Sequence, residues 1–294
     1  MMLYAAGRDE MRRMDEATMK ELGLPGIVLM ENAGAKVADD ILAKEGAARP
    51  GGALRVLVLA GGGNNGGDGF VIARRLIDAG AQARVGLLVP PEKVKGDAKL
   101  HLDVYIKRGL PLFSAWERTD GELREEMAKA DVIVDAMLGT GASGPLREPY
   151  RRLIGLVNEF GGAKPIVAVD LPSGLDSDDG SVAELAVKAS RTITFVFPKR
   201  GFFLREGPRY IGEWRAVDIS VPPSLAETLG LSAAMPRVLT ESLAASMVPR
   251  RPRSGHKGTF GHVLVAGGSR RYVGAPVFSA KAAVCAGAGL VTAA

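Results

Sequence analysis

The sequence contains few of the residues that form disulfides, sulfur-bound metal sites and aromatic binding surfaces. Cys285 is the only cysteine in 294 residues, which excludes an internal disulfide and a cysteine-based zinc site and fits a reducing compartment. Aromatic residues make up 5% of the chain, so the core must consist of Val, Leu, Ile and Ala. The net charge is +5, but no basic stretch is interleaved with aromatic residues, and we expect no nucleic-acid partner.

Long apolar runs are also missing, and we expect no signal peptide. No stretch approaches the roughly 20 apolar residues of a membrane span. The first eight residues contain no basic segment and too short an apolar run for a signal peptide. We therefore expect a cytoplasmic protein without a membrane partner, and we also expect a homo-oligomer.

Glycine, in contrast, is concentrated in one stretch. The apolar run Arg55–Leu59 is followed by AGGGNNGGDG at Ala60–Gly69 and then by the apolar segment Phe70–Leu76. This order predicts a buried strand, a glycine-rich turn and a helix. Glycines at such a turn bring backbone N–H groups close to a ligand at the helix N-terminus, which indicates a phosphate-bearing ligand.

The turn differs from an ordinary dinucleotide-binding loop. It satisfies the G-x-G-x-x-G pattern through Gly61, Gly63 and Gly66. However, the next predicted strand, 82–89, ends without the acid that would hold a ribose. The loop instead carries Asn64, Asn65 and Asp68, which suit a cation or the hydroxyl and amide groups of a ligand. The alternative interpretation is a tight turn whose Asn and Asp side chains only cap the helix.

From Leu54 onward, short β-branched runs alternate with helical patterns. The predicted strands are 54–60, 82–89, 111–114, 132–137 and 165–170, with 191–197 and 214–218 extending the sheet. The predicted helices are 8–22, 27–44, 67–79, 96–108, 121–130 and 148–160. This alternation predicts an α/β fold with a doubly wound, mainly parallel sheet, Rossmann-like and three-layered, with additional N-terminal helices.

Three polar loops follow strands of the predicted sheet. They are the glycine-rich turn after the first strand, Gly139–Pro145 and Asp170–Asp176. Because ligands bind outside the carboxyl ends of parallel strands, we expect the three loops to form one site.

The pattern weakens after residue 222, where we place the end of the first domain. Residues 223–254 contain several prolines and a basic patch and are predicted to be a linker. Residues 255–294 are predicted to form one strand–turn–helix unit that begins a second, ribokinase-like α/β domain. Because about forty residues cannot bury a core of their own, we expect this segment to be more sensitive to proteases than residues 54–220.

Four motifs resemble the NAD(P)H-hydrate epimerase family and occur in that family's order. They are MENAG at Met30–Gly34, GNNGGDG at Gly63–Gly69, DAMLGTG at Asp135–Gly141 and DLPSG at Asp170–Gly174. The segment Gly255–Val291 resembles the beginning of the ADP/ATP-dependent NAD(P)H-hydrate dehydratase. The two together resemble the bifunctional NAD(P)H-hydrate repair family. Because the sequence stops before the later nucleotide loop of the dehydratase, we expect ADP- or ATP-dependent dehydration only in a longer chain.

The resemblance implies an enzyme that interconverts the R and S forms of hydrated NADH or NADPH. It implies substrate contacts at Asn64, Asn65, Gly66, Gly67, Asp68, Gly139, Thr140, Gly141, Ala142, Ser143, Gly144, Pro145 and Asp170. It also implies a potassium site at Asn65, Asp135 and Ser173, and the oxygen-only character of these side chains agrees with that ion.

The reaction needs a carboxyl group that gives and takes a proton. Asp170 is our first candidate and Asp68 the second. In the alternative interpretation, Asp170 only hydrogen-bonds the turn at Ser173–Gly174.

Two other functional classes fit the same fold. One is a non-catalytic nucleotide-binding scaffold, because fold does not determine function. The other is a nicotinamide-dependent oxidoreductase, which the missing ribose acid disfavours.

Overall fold

The computed structural model describes residues 2–46, 52–141 and 144–294. The chain forms two compact units, Met1–Val238 and Leu239–Ala294. Residues 223–238, which the sequence predicted to be linker, therefore lie in the first unit. None of the described helices is long and apolar enough to cross a membrane.

The first unit alternates strands and helices along the chain. Its helices are α1 (Arg8–Lys20), α2 (Gly26–Ile41), α3 (Asn64–Asp78), α4 (Gly96–Lys107), α5 (Asp120–Lys129), α6 (Tyr150–Glu159) and α7 (Leu225–Thr228). Its strands are β1 (Arg55–Ala60), β2 (Gln82–Leu87), β3 (Leu112–Ser114), β4 (Val132–Ala136), β5 (Ile166–Val169), β6 (Arg191–Phe195) and β7 (Glu213–Val217).

The strands pair in parallel in the order β3-β2-β1-β4-β5-β6-β7. The chain thus moves outward from β1 to one edge, returns to β4 and moves outward to the other edge. This order confirms the predicted doubly wound sheet. It also places a topological switch point between β1 and β4, where such folds bind ligands.

Side chains of the central strand pack on both faces of the sheet. Val56 and Val58 of β1 contact the core formed with α1 to α4, whereas Leu57 and Leu59 contact the core formed with α5 and α6. Successive side chains of a strand point to opposite faces, so a strand covered on both sides must be apolar throughout. The result is the predicted three-layer arrangement.

The largest local difference from the sequence prediction is the start of α3. The helix begins at Asn64, with Gly63 as its N-cap, and its first residues lie inside the stretch that was predicted to be a turn. Asn64, Asn65 and Asp68 therefore lie in the first two helical turns.

The second unit contains α8 (Glu241–Met247), β8 (His262–Val265), α9 (Gly274–Cys285) and β9 (Leu290–Ala293). Strands β8 and β9 pair in parallel. The sequence predicted a single strand–turn–helix unit here, but the chain reverses at Gly287, whose φ is +109°, and then forms a second strand. All residues of this unit are described, and each is exposed or half-buried.

Candidate functional site

A cavity of about 570 Å³ lies at the carboxyl ends of β1, β4 and β5, next to α1 and α2. Its lining includes Asn64, Asn65, Asp68, Gly139, Thr140, Gly141 and Asp170, all of which the sequence assigned to the site. The loops after three separate strands therefore meet at one cavity, as the topology requires.

The remaining predicted contacts do not line this cavity. Gly66 and Gly67 are buried in packing contacts, and a Cβ at Gly66 would lie 1.9 Å from the carbonyl oxygen of Gly61. Gly144 and Pro145 are described but lie outside the cavity lining. Ala142 and Ser143 fall outside the residues that the structure describes.

The N-terminus of α3 faces the cavity without a side-chain cap. Gly63 makes no capping hydrogen bond, and the Asn65 amide donates instead to the carbonyl oxygen of Leu138 at 3.0 Å. The interpretation of the loop as a simple cap is therefore wrong. The first N–H groups of a helix have no intrahelical partner, and the first residues of α3, Asn64 and Asn65, line the cavity.

Asp68 carries a carboxyl group that is almost fully enclosed. Its relative exposure is 7%, and within the described ranges it forms neither a hydrogen bond nor an ion pair. Burial raises the pKa of Asp68 well above its usual range, and the nearby charges of Asp170 and Asp15 raise it further. A carboxyl in this environment keeps its proton more readily than one in water.

Asp170 has the opposite environment. Its Oδ1 accepts hydrogen bonds from Lys199 Nζ at 2.6 Å, from Thr194 Oγ1 at 3.0 Å and from the backbone N–H of Phe195 at 3.0 Å. Lys199 is 1% exposed, so its buried ammonium stabilises the Asp170 carboxylate. The three donors lie at the end of β6 or shortly after it, and none of them belongs to the Ser173–Gly174 turn. None of the described residues forms a hydrogen bond with the other oxygen, Oδ2, and Asp170 lines the cavity, so a ligand can contact this atom.

Two charged residues near Asp68 and Asp170, namely Asp15 and Lys199, were not predicted from the sequence. Asp15 of α1 lines the cavity, and burial raises its pKa to about 6, Lys199 opposing and Asp170 reinforcing the shift. Its spacing of four residues from Met11 places it beside the buried face of α1, a signal that could have identified it. Lys199 follows an apolar strand directly after Pro198, but this pattern alone does not identify a buried cation.

Asp135 and Ser173 lie next to the cavity and join two strand-end loops. Ser173 Oγ donates to Asp135 Oδ1 at 2.6 Å, and the Ser173 backbone N–H donates to Oδ2 at 2.8 Å. The Leu138 N–H donates to Ser173 Oγ at 2.9 Å, and Leu138 also accepts the bond from Asn65. Burial raises the pKa of Asp135 to about 6 in spite of the hydrogen bonds from Ser173 and Met137. The three predicted potassium ligands are thus linked through Leu138.

Comparison with known proteins identifies the family of this chain. Residues 26–201 match the family model described as YjeF-related protein N-terminus. A protein of Moorella thermoacetica named bifunctional NAD(P)H-hydrate repair enzyme Nnr is 40% identical over 99% of this chain and 54% of its own length. A protein of the same name from Pyrobaculum aerophilum is 42% identical over 92% of this chain and 50% of its own length. The chain spans about half the length of these curated relatives.

A solved structure shows the same fold. The crystal structure of yeast ynu0, YNL200c, aligns with a TM-score of 0.63 and 26% sequence identity. The alignment covers 74% of this chain and 88% of the yeast chain.

Proposed function

The chain belongs to the YjeF-related N-terminal family, and from that premise we propose that its first unit is an NAD(P)H-hydrate epimerase. Its substrates are the R and S forms of hydrated NADH and NADPH, in line with the names of the curated relatives. The observation that carries the proposal is the carboxyl cluster of Asp68 and Asp170 in a cavity at the switch point of the sheet.

The chemistry requires acid–base groups and no redox partner. The reacting carbon bears a hydroxyl group and is bonded to the ring nitrogen. A carboxylic acid protonates the hydroxyl, the nitrogen lone pair expels water, and a planar iminium cation forms. Water then adds to the opposite face and returns its extra proton to a carboxylate. Carboxylates around the cavity also stabilise the positive charge of the iminium.

The two carboxyl groups suit these alternating roles. Burial favours the neutral form of Asp68, whereas Asp170 accepts hydrogen bonds from Lys199 and Thr194 through one oxygen. Pairs of acids in such different environments are typical of acid–base sites. We assign the proton exchange principally to Asp170, because its Oδ2 is free to contact substrate, and we retain Asp68 as the second member of the pair.

The polar residues at the start of α3 and in the loop after β4 are proposed to bind the dinucleotide. The N-terminus of α3, with Asn64 and Asn65, offers N–H groups to the pyrophosphate. A neutral Asp68 removes the repulsion that a carboxylate would exert on this anion. We assign further contacts to the loop of residues 139–145.

The potassium site remains part of the proposal. Asp135, Ser173 and the side-chain carbonyl of Asn65 are oxygen donors that fit a large monovalent cation. The Asp135 carboxyl is fully buried, and the described residues supply it with hydrogen bonds but no ion pair. A cation would supply the charge that stabilises the Asp135 carboxylate and would keep the strand-end loops in register.

ADP or ATP would act only on a complete dehydratase domain in a longer chain. We also propose that the protein is a cytoplasmic homo-oligomer.

Chiral chromatography of the two hydrates of NADH, with and without protein, tests the proposal. We expect the native chain to equilibrate the epimers without consuming NADH, whereas an oxidoreductase would consume NADH and a scaffold would do neither. Asp170→Asn should slow epimerisation about 10²–10⁴-fold, and Asn tolerates the φ of +64° at this position.

Asp179→Asn is the matched control, because this carboxylate lies on the same loop, is 43% exposed and pairs with Arg205. Rates are compared after circular dichroism has shown that each variant is folded. A near-native rate in folded Asp170→Asn would exclude the proposed role.

A further inference from the structure

The acidic residues of α1 differ in their partners. Asp9, Glu10 and Glu16 each form an ion pair with an arginine or lysine. Asp15 forms no hydrogen bond or ion pair with any described residue, and its side chain lines the cavity. A half-buried carboxyl without a partner among the described residues is unfavourable for stability, so its position calls for a functional explanation.

The helix that carries Asp15 is fixed to the loop that follows Asp170. The backbone N–H of Arg8 donates to Asp178 Oδ1 at 2.7 Å, and its guanidinium pairs with Asp176 at 3.2 Å. Asp15 therefore projects from a rigid element whose position relative to Asp170 is set by direct contacts. Acid–base groups need such support to hold their geometry.

The charges around the cavity leave Asp15 able to exchange a proton. Asp170 bonds directly to the buried ammonium of Lys199, and the charges of both act on Asp15, whereas Asp68 is affected by Asp170 and Asp15. Arg8 and Arg12 also line the cavity. Ionising all three carboxyl groups at once would bring like charges together, which burial disfavours. The pKa of Asp15, raised to about 6 by burial, is suited to proton transfer near neutral pH.

Inversion of the reacting carbon needs proton transfer on both faces of the ring, and one fixed carboxyl group cannot serve both faces. Water leaves from one face of the planar iminium and returns to the other. Three hydrogen bonds hold Asp170 in place, so it reaches only one face of a bound ring. A second acid–base group must reach the other face from a different wall. Asp15 of α1 lines the same cavity and can accept a proton there, whereas the enclosed Asp68 keeps its own proton and is suited to donating it.

We infer that Asp15 is a further catalytic residue, serving the face of the reacting ring opposite to Asp170. The inference rests on the proposed epimerase function. In one direction, Asp170 in its acid form protonates the departing hydroxyl, the C–O bond breaks, and water leaves. A new water then forms a C–O bond on the opposite face and gives its proton to the Asp15 carboxylate. The reverse direction exchanges the two roles, and no electrons are gained or lost overall.

The test follows inversion and oxygen exchange separately. Each hydrate of NADH is incubated in ¹⁸O-water with the full chain, and chiral chromatography with mass spectrometry records the configuration and the label. In Asp15→Asn we expect inversion to fall about 10²-fold or more. The epimer whose hydroxyl faces Asp170 should still exchange its oxygen with retention, within about threefold of the native rate, because that step needs only Asp170.

A structural role would give a different pattern, in which inversion and retentive exchange fall together. That result, or native-like inversion in Asp15→Asn, would overturn the inference. Asp15→Glu, which restores a carboxyl group, should recover inversion at least tenfold over Asp15→Asn, and failure to do so would also count against it. Asp9→Asn, on the exposed side of the same helix, should change neither rate.

The same experiment distinguishes a failure of the proposed epimerase function from a failure of the inference about Asp15. If the native chain inverts neither hydrate, the proposed function fails and the role of Asp15 fails with it. If the native chain inverts both and Asp15→Asn does so equally well, only the inference about Asp15 is wrong.

Discussion

Individual carboxyl groups at the cavity have different environments. Asp170 pairs with the buried ammonium of Lys199, while burial raises the pKa values of Asp68 and Asp15. Such differences between the environments of carboxyl groups are useful for proton transfer. However, they lower stability wherever an ionised group is buried without a partner.

Asp15 provides a measurable case of this conflict. Its pKa is about 6 in the folded chain, against an ordinary value of 3.8. Between these values the folded chain retains a proton that the unfolded chain has lost, so stability falls as pH rises from about 4 to about 6 and stays lower above that range. We therefore expect Asp15→Asn to be more stable than the native chain at pH 7.5, by at most about 3 kcal/mol.

Urea unfolding at pH 4 and pH 7.5 measures the effect. The gain in the free energy of unfolding should be present at pH 7.5 and absent at pH 4. Asp9→Asn is the control, because Asp9 is 83% exposed and its removal should change stability little at either pH. A loss of stability in Asp15→Asn at pH 7.5 would show that the carboxyl makes favourable contacts in the fold.

At the scale of elements, the junction of β1 and α3 determines the shape of the site. Gly66, in the first turn of α3, lies so close to β1 that an added Cβ would be 1.9 Å from the carbonyl oxygen of Gly61. The obstructing atom belongs to the backbone, so no side-chain rotation can relieve the clash. Gly66→Ala should therefore lower the free energy of unfolding by at least about 1–3 kcal/mol.

Gly63→Ala is the matched control three residues earlier. Its φ is −99°, which any residue adopts, and a Cβ there would meet nothing within 4 Å. We expect it to lower stability by less than about 1 kcal/mol, the difference between glycine and alanine at an N-cap. Equal effects of the two substitutions, measured by thermal unfolding, would show that the clash at Gly66 is relieved by backbone movement.

The sequence predicted the elements well for a simple physical reason. Each central strand is a continuous apolar run between helical patterns, which fits only strands covered on both faces. The start of α3 was misplaced because glycine disfavours helices locally, whereas here close packing against β1 requires it. Lys199 was missed because its role depends on burial and on a distant partner, which local sequence does not reveal. Asp15, in contrast, could have been found from its spacing to the buried Met11.

At the scale of the whole molecule, the first unit contains the proposed site and its own core. Asp15, Asp68, Asp135 and Asp170 all lie before residue 239, as do the three buried clusters of apolar side chains. The sequence placed the domain end at residue 222, where strand and helix patterns stop. However, the following segment adds Leu225, Ala226, Leu231 and Met235 to the core without a long regular element, and periodicity does not detect such packing.

Two shortened chains test where the independent folding unit ends. A chain ending at Val238 keeps the hydrogen bond from the Val238 N–H to the Leu3 carbonyl oxygen, 2.8 Å long, and the bridge between Tyr4 and Arg237. It should unfold at the same temperature as the first unit of the full chain and retain epimerisation. A chain ending at residue 222 loses three large buried side chains, each contributing about 1.5–3 kcal/mol. Its midpoint should fall by at least about 10 °C. If both chains unfold at the same temperature, residues 223–238 are a linker after all.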